Sequence, residues 1–300
     1  MIFDQAEGLR RRILKANTEE KNQLSDKKTK IITVTSGKGG VGKSNFTLNF
    51  ALALLGYQHR VAILDADIGL ANIDVLMGVS PKLNLQDMMA DKLSIWDILE
   101  KGPKGLEFIA GGSNLEFLLD PHKNDLSYLF YQFQLLNGYV DTILIDTGAG
   151  LSKESLKFIL SSDEIFLVTT PEPTSITDAY AIIKSVSNKS KDVKISLIIN
   201  RVTTQEEGVS TFHRIKAVTK KFLNINIQLF GFIYDDHHVT MSVKKQEPFY
   251  ISYPNGRAAK SIDTLAEKYL KEREIEIVQP KKETLGIRSF IEKMTYWIKQ

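Results

Sequence analysis

Lys38 and Lys43 stand five residues apart in TSGKGGVGKSN (residues 35–45), a run that holds four glycines. Gly37, Gly42, Lys43 and Ser44 have the G-x-x-x-x-G-K-[ST] spacing of a phosphate-binding loop. Glycines let consecutive backbone N–H groups converge on phosphate oxygens, and the start of a following helix adds its positive dipole end. In such a loop Lys43 neutralises β- and γ-phosphate oxygens and the Ser44 hydroxyl binds Mg2+. The whole stretch Gly37, Lys38, Gly39, Gly40, Val41, Gly42, Lys43, Ser44 and Asn45 is therefore the expected nucleotide cradle. One lysine suffices for that chemistry, so Lys38 needs a separate explanation.

Carboxylates form the second group. RVAILDAD (60–67) ends in Asp65 and Asp67, which strand alternation places on one face. DTILIDTGAG (141–150) carries Asp146, followed by Gly148 and Gly150. Asn200 and Arg201 close VKISLIINRV, and Asp235 closes IQLFGFIYDD.

These residues need a scaffold. KIITVTS (30–36), rich in β-branched residues, reads as a buried strand just before the loop, and SNFTLNFALALLGY (44–57) as the helix after it. RVAILDAD, DTILIDTGAG, EIFLVTTPEPTS, VKISLIINRV and IQLFGFIYDD read as five further strands, with helical patterns such as SITDAYAIIKSVS and EEGVSTFHRIKAVTKKFL between them. Strand–helix alternation with apolar strands predicts an α/β fold, a mostly parallel twisted sheet flanked by helices on both faces. Ligands bind such sheets beyond the carboxyl ends of the strands. The loop, Asp65, Asp67, Asp146 and Asn200 all fall at those ends.

The loop resembles the deviant Walker A motif KGGxGK[ST] of the MinD/ParA class of P-loop ATPases. That resemblance implies ATP/ADP and Mg2+ as cofactors, and an ATP-dependent homodimer in which Lys38 reaches the partner's nucleotide. A cation from each protomer would offset the repulsion of two facing nucleotides. DADIGLANID (65–74) is similar to the class's switch I. The likeness implies that Asp67 orients the attacking water and that Asp65 belongs to the outer shell of Mg2+, with Lys38, Lys43 and Asp67 as the catalytic set. Asp146 resembles the Walker B acid that holds metal-bound water, which makes Ser44, Asp65 and Asp146 the expected metal group. Asn200-Arg201 resembles the class's base-contacting pair, and no Asn-Lys-x-Asp guanine signature is present, so adenine is expected. The class usually has a Pro-acid-Asp segment after the next strand. Here Tyr234-Asp235-Asp236-His237-His238 stands in its place, with Asp235 expected at the base.

The ends of the chain point to a branch. The chain has no cysteine, which excludes a thiolate-held cluster, and no run nears the roughly 20 apolar residues that span a bilayer. The polar start MIFDQAEGLRRR is not a secretory signal. Net charge is +3, yet residues 1–30 carry eight basic and five acidic groups, and residues 281–300 five and two, so the body between is negative. A negative body argues against direct DNA binding and suggests ends that meet acidic partners or anionic lipid. Ile287, Phe290, Ile291, Met294, Trp297 and Ile298 form one apolar stripe opposite Arg288, Glu292, Lys293, Thr295 and Lys299, the pattern of an interfacial membrane helix. Three segments are expected: an N-terminal helix and linker (1–30), the ATPase domain (31–272), and a linker with the amphipathic helix (273–300).

Asp4, Gln5, Ala6, Leu9 and Arg10 match the DQAxxLR start of the FlhG (FleN, YlxH) branch, the flagellar relatives of MinD. This resemblance implies a switch for flagellar number and placement, cytoplasmic and peripheral at the inner membrane face when ATP-bound. Implied partners are the SRP-type GTPase FlhF, stimulated through residues 4–10, flagellar C-ring components, and in some members a flagellar transcription regulator. A division-site ATPase of the MinD type, and a scaffold that binds ATP without useful turnover, are the alternatives.

Overall fold

The computed structural model describes residues 28–67, 72–112, 119–120, 126–191, 193–278 and 286–300. Eight strands form one sheet: β1 (Lys30–Ser36), β2 (Val61–Ala66), β3 (Glu100–Lys101), β4 (Glu107–Ala110), β5 (Thr142–Thr147), β6 (Glu164–Thr169), β7 (Lys194–Val202) and β8 (Gln228–Tyr234). Their spatial order is β3-β4-β2-β5-β1-β6-β7-β8. Among the described residues only the β3–β4 pair is antiparallel. The six strands expected from apolar patterning are all present. β3 and β4 are additional, and at two and four residues they are too short to show a period.

The described helices are α1 (Lys43–Gly56), α2 (Ile73–Met77), α3 (Leu85–Asp91), α4 (Ile95–Ile98), α5 (Leu126–Gln134), α6 (Lys153–Ser161), α7 (Pro173–Ser187), α8 (Gln205–Leu223), α9 (His237–Lys245), α10 (Phe249–Ser252), α11 (Arg257–Val278) and α12 (Ile287–Ile298). Strand alternation divides them between two faces. Ile32, Val34, Phe166, Val168 and Ile198 pack with α1, α2, α10 and α11, while Ile143, Ile145, Ile165, Leu167 and Ile199 face α3 to α8 and α12. Because both faces are covered, the central strands are continuous apolar runs. α1 buries nearly every apolar residue it has because it lies between the sheet and α11.

The last two described helices are both joined to the body. α11 runs unbroken to Val278, past residue 272. Lys30 explains why: its buried ammonium lies 2.9 Å from Glu276 and 2.9 Å from Glu164, tying the last turns of α11 to the base of the sheet. α12 is likewise part of the body. Ile287, Phe290 and Met294 are buried against α5 and α6, Phe290 stacks on Phe158 with ring centroids 6.3 Å apart, and the Gly286 N–H donates to Asp163 at 3.1 Å. The stripe expected to meet lipid is thus covered by protein in this conformation. Among the described residues no helix is long and apolar enough to cross a membrane.

Candidate nucleotide site

The site lies at the carboxyl ends of β1, β2, β5 and β7. The chain leaves β1 into the glycine loop and enters α1 at Lys43. Gly42 occupies the N-cap with φ 94°, a left-handed conformation that favours glycine, and no side chain caps the helix. The N–H groups of its first turn therefore have no intrahelical partner and can serve an anion.

Lys43 is almost fully buried. Its ammonium donates to Asp146 at 2.9 Å and to the Ser44 hydroxyl at 3.1 Å, and lies 3.8 Å from Asp67. Register explains the gathering of acids: Asp65 on β2 sits directly opposite Asp146 on β5. The second oxygen of Asp146 accepts from Thr47, one turn further along α1, at 2.7 Å. Thr47 was not foreseen; its signal was the i+4 spacing from Lys43, which puts both on one helix face.

Asp65 is 3% exposed. Burial, then the charge of Asp146, pushes its carboxyl up to about 7, against the opposing pull of the Asp67 and Ile73 N–H groups and of Lys43. Burial also raises Asp67, with Lys43 opposing and Asp146 adding to the rise. Asn72 is a second unforeseen member: its amide donates to Asp67 at 3.3 Å. Gly148 passes close to Asp67, so that a Cβ there would sit 3.0 Å from the carboxylate.

Two cavities adjoin at Gly42 and Asn45. One, about 680 Å3, runs along Gly39, Gly40, Lys43, Ser44, Asp67, Asn72 and Gly148. The other, about 450 Å3, is lined by Phe46, Asn200, Arg201, Tyr234, Asp235 and Thr240 among others. The first follows the glycine loop past the acids; the second opens beside it among Asn200, Arg201 and Asp235. Asp235 and Asn200 both line the smaller cavity, and Asn200 also donates its amide to the Val41 carbonyl at 2.7 Å, linking that cavity to the loop. Asp236, which also lines this cavity, caps α9 and accepts from His238 N and Nδ1 and from Ala258 N.

For Mg2+ the donors present are hard oxygens, which suits the ion. Ser44 and Asp146 are brought together, bridged by Lys43. Asp65 is placed beside them, but its oxygens already accept three backbone N–H groups.

Lys38 stays out of this cluster. Its partly exposed ammonium binds Glu172 at 2.8 Å and Thr174 at 2.9 Å, both at the start of α7. The residues expected to meet a partner, Asp4, Gln5, Ala6, Leu9 and Arg10, lie outside the described residues.

A family model described as ParA, NUBPL iron-transfer P-loop NTPase, matches residues 27–270. The chain is 35% identical over 238 residues to the antiactivator FleN of Pseudomonas aeruginosa, covering 79% of this chain and 85% of that protein. It is 34% identical to the flagellum site-determining protein YlxH of Helicobacter pylori, covering 90% of this chain and 91% of that one. Among solved structures it is similar to the septum site-determining protein MinD of Pyrococcus horikoshii in complex with Mg-ADP, with TM-score 0.67, 26% identity, and coverage of 83% of this chain and 98% of that one. A glycine loop with two lysines, a β2 acid facing a β5 acid across one register step, and this set of matches lead to one assignment: the chain belongs to the ParA/MinD family of P-loop ATPases.

Proposed function

We propose that this protein is an ATP-driven switch of the FlhG type that controls flagellar number and placement. The observation that carries the reading is the division of labour between the two lysines. Lys43 serves the buried acids of its own loop, whereas Lys38 is held at the surface, pointing away from them. A lysine so placed suits service to a second protomer. FleN and YlxH, the relatives named for flagellar roles, support the branch.

Bound Mg-ATP supplies the phosphoryl group and a divalent charge to neutralise it. The chain's residues do the rest. The loop N–H groups and the start of α1 hold phosphate oxygens, and Lys43 exchanges Asp146 for them. Ser44 and Asp146 would hold the metal, and Asp67, steadied by Asn72, would orient water for in-line attack. Lys38 must leave Glu172 to reach the partner's nucleotide. Dimerisation then favours release of α12 to anionic lipid, and paired helices raise avidity for the membrane. The N-terminal segment stimulates an SRP-type GTPase; C-ring components and a transcription regulator are further partners. Hydrolysis returns a soluble monomer.

The test is mass by light scattering of Asp67→Ala protein with saturating Mg-ATP. A stable dimer that Lys38→Ala abolishes is expected; a monomer would refute the trans lysine. Likeness to MinD favours a second reading, division-site positioning. That reading assigns no role to residues 1–30. Stimulation of the flagellar SRP-type GTPase by a peptide of residues 1–30, lost on Gln5→Ala, would decide for the flagellar switch. Turnover of the pure protein tests the scaffold alternative.

A further inference from the structure

Asp65 has contacts that an outer-shell metal acid does not need. One of its oxygens accepts from the Asp67 N–H at 3.1 Å. The other accepts from the Asn72 N–H at 3.1 Å and the Ile73 N–H at 3.2 Å. Asn72 is the N-cap of α2 and Ile73 its opening residue, yet the Asn72 side chain makes no capping bond. The buried carboxylate of Asp65 takes over that task from outside the helix, where orphan N–H groups and the dipole favour an anion. This frees the Asn72 amide to donate to the Asp67 carboxylate at 3.3 Å. One side chain thus fixes the backbone of Asp67 directly and its carboxylate through Asn72.

A carboxylate oxygen has two in-plane acceptor sites. On Asp65 one oxygen is filled by two N–H groups and the other half filled, so three of four acceptor sites serve the backbone and a single one remains. We infer that Asp65 is a positioning residue, the anchor that aims Asp67 at its water, rather than a member of the Mg2+ shell. The inference rests on the reading of Asp67 as the water-orienting acid.

An amide cannot replace this carboxylate. In Asp65→Asn one end must present N–H donors to backbone N–H donors, so one of the two links is lost. The experiment compares Asp65→Asn, Asn72→Ala and Asp67→Asn with the unaltered full chain. It reads kcat, KM for ATP, the Mg2+ concentration for half-maximal rate, and hydrogen exchange of the Asp67, Asn72 and Ile73 amides without nucleotide. For Asp65→Asn the anchor predicts kcat lower by roughly 10- to 100-fold with KM and Mg2+ dependence within about two-fold. It also predicts exchange at the released amides faster by about ten-fold. Asn72→Ala removes only the link to the Asp67 carboxylate. It should reproduce the kcat loss while Ile73 stays protected, and it serves if Asp65→Asn does not fold. A Mg2+ requirement raised about ten-fold or more with unchanged exchange would overturn the inference and return Asp65 to the metal shell. So would unchanged kcat in Asn72→Ala. Full turnover by Asp67→Asn would instead remove the reading of Asp67, leaving the exchange data to judge the anchor separately.

Discussion

Phe158→Ala on α6 should loosen α12 without touching the helix itself. Phe158 is 4% exposed and stacks on Phe290 at 6.3 Å with planes 24° apart. Truncating a buried Phe costs about 3–5 kcal/mol in all. Part of that falls on packing of α6 against the sheet, which docked and released states share. The part that crosses to α12 is the aromatic pair, about 0.5–1.5 kcal/mol, plus the apolar area that Phe290 loses. Taking ~1.5 kcal/mol, the docking equilibrium shifts by roughly ten-fold toward release. Any variant of Phe290 or Met294 would weaken docking and lipid insertion together, so the change belongs on α6. The chain has two tryptophans, and Trp297 lies on α12 with the Lys189 ammonium 5.6 Å from its ring. In a Trp96→Phe background its emission therefore reports docking. Phe158→Ala should shift that emission toward the exposed position and raise flotation with anionic vesicles by about ten-fold in the absence of nucleotide. An emission shift with unchanged flotation would refute α12 as the lipid anchor. An unshifted emission would refute Phe158 as what holds it.

Lys43→Ala leaves Asp146 buried without its cation, so the protein should lose about 3 kcal/mol or more of stability by urea titration, together with tight ATP binding by calorimetry. Glu172→Ala removes the charged partner of Lys38 and leaves only its bond to Thr174. ATP-dependent dimerisation followed by light scattering should then occur at lower ATP, and the difference should shrink as salt screens the exposed pair. Gly42→Ala combines a left-handed φ with a Cβ that runs into the Asn200 amide, so nucleotide binding should fall with little change in far-ultraviolet circular dichroism. Asp65 has a folded pKa of about 7, above that of an unfolded aspartate. Between about pH 4 and pH 7 the folded state keeps a proton the unfolded state has lost, so this group's contribution to stability falls as pH rises through that window. Asp65→Asn should flatten the corresponding slope in urea midpoints measured from pH 4 to pH 8; an unchanged slope would assign the titration elsewhere.

The glycine loop, the two lysines and the acids at strand ends were legible in the sequence because each is a local pattern. Spacing places a loop between a strand and a helix, and continuous apolar, β-branched runs mark six strands from residues that neighbour one another in the chain. Likewise the stripe of α12 is a property of twelve consecutive residues. What the sequence could not settle is what each group touches. Register between β2 and β5 sets Asp65 beside Asp146, and Asp67, two residues further on, comes within 3.8 Å of the Lys43 ammonium that Asp146 holds at 2.9 Å. Thr47 and Asn72 enter the site only because α1 and α2 are packed where their side chains meet acids on other elements. Lys38 reads as a lysine for a partner, and tertiary structure adds the Glu172 it must leave, 134 residues away in the chain. Amphipathic periodicity cannot say whether an apolar face meets lipid or protein, since both remove it from water. The groove between α5 and α6, assembled from distant parts of the chain, supplies the protein surface that α12 covers here.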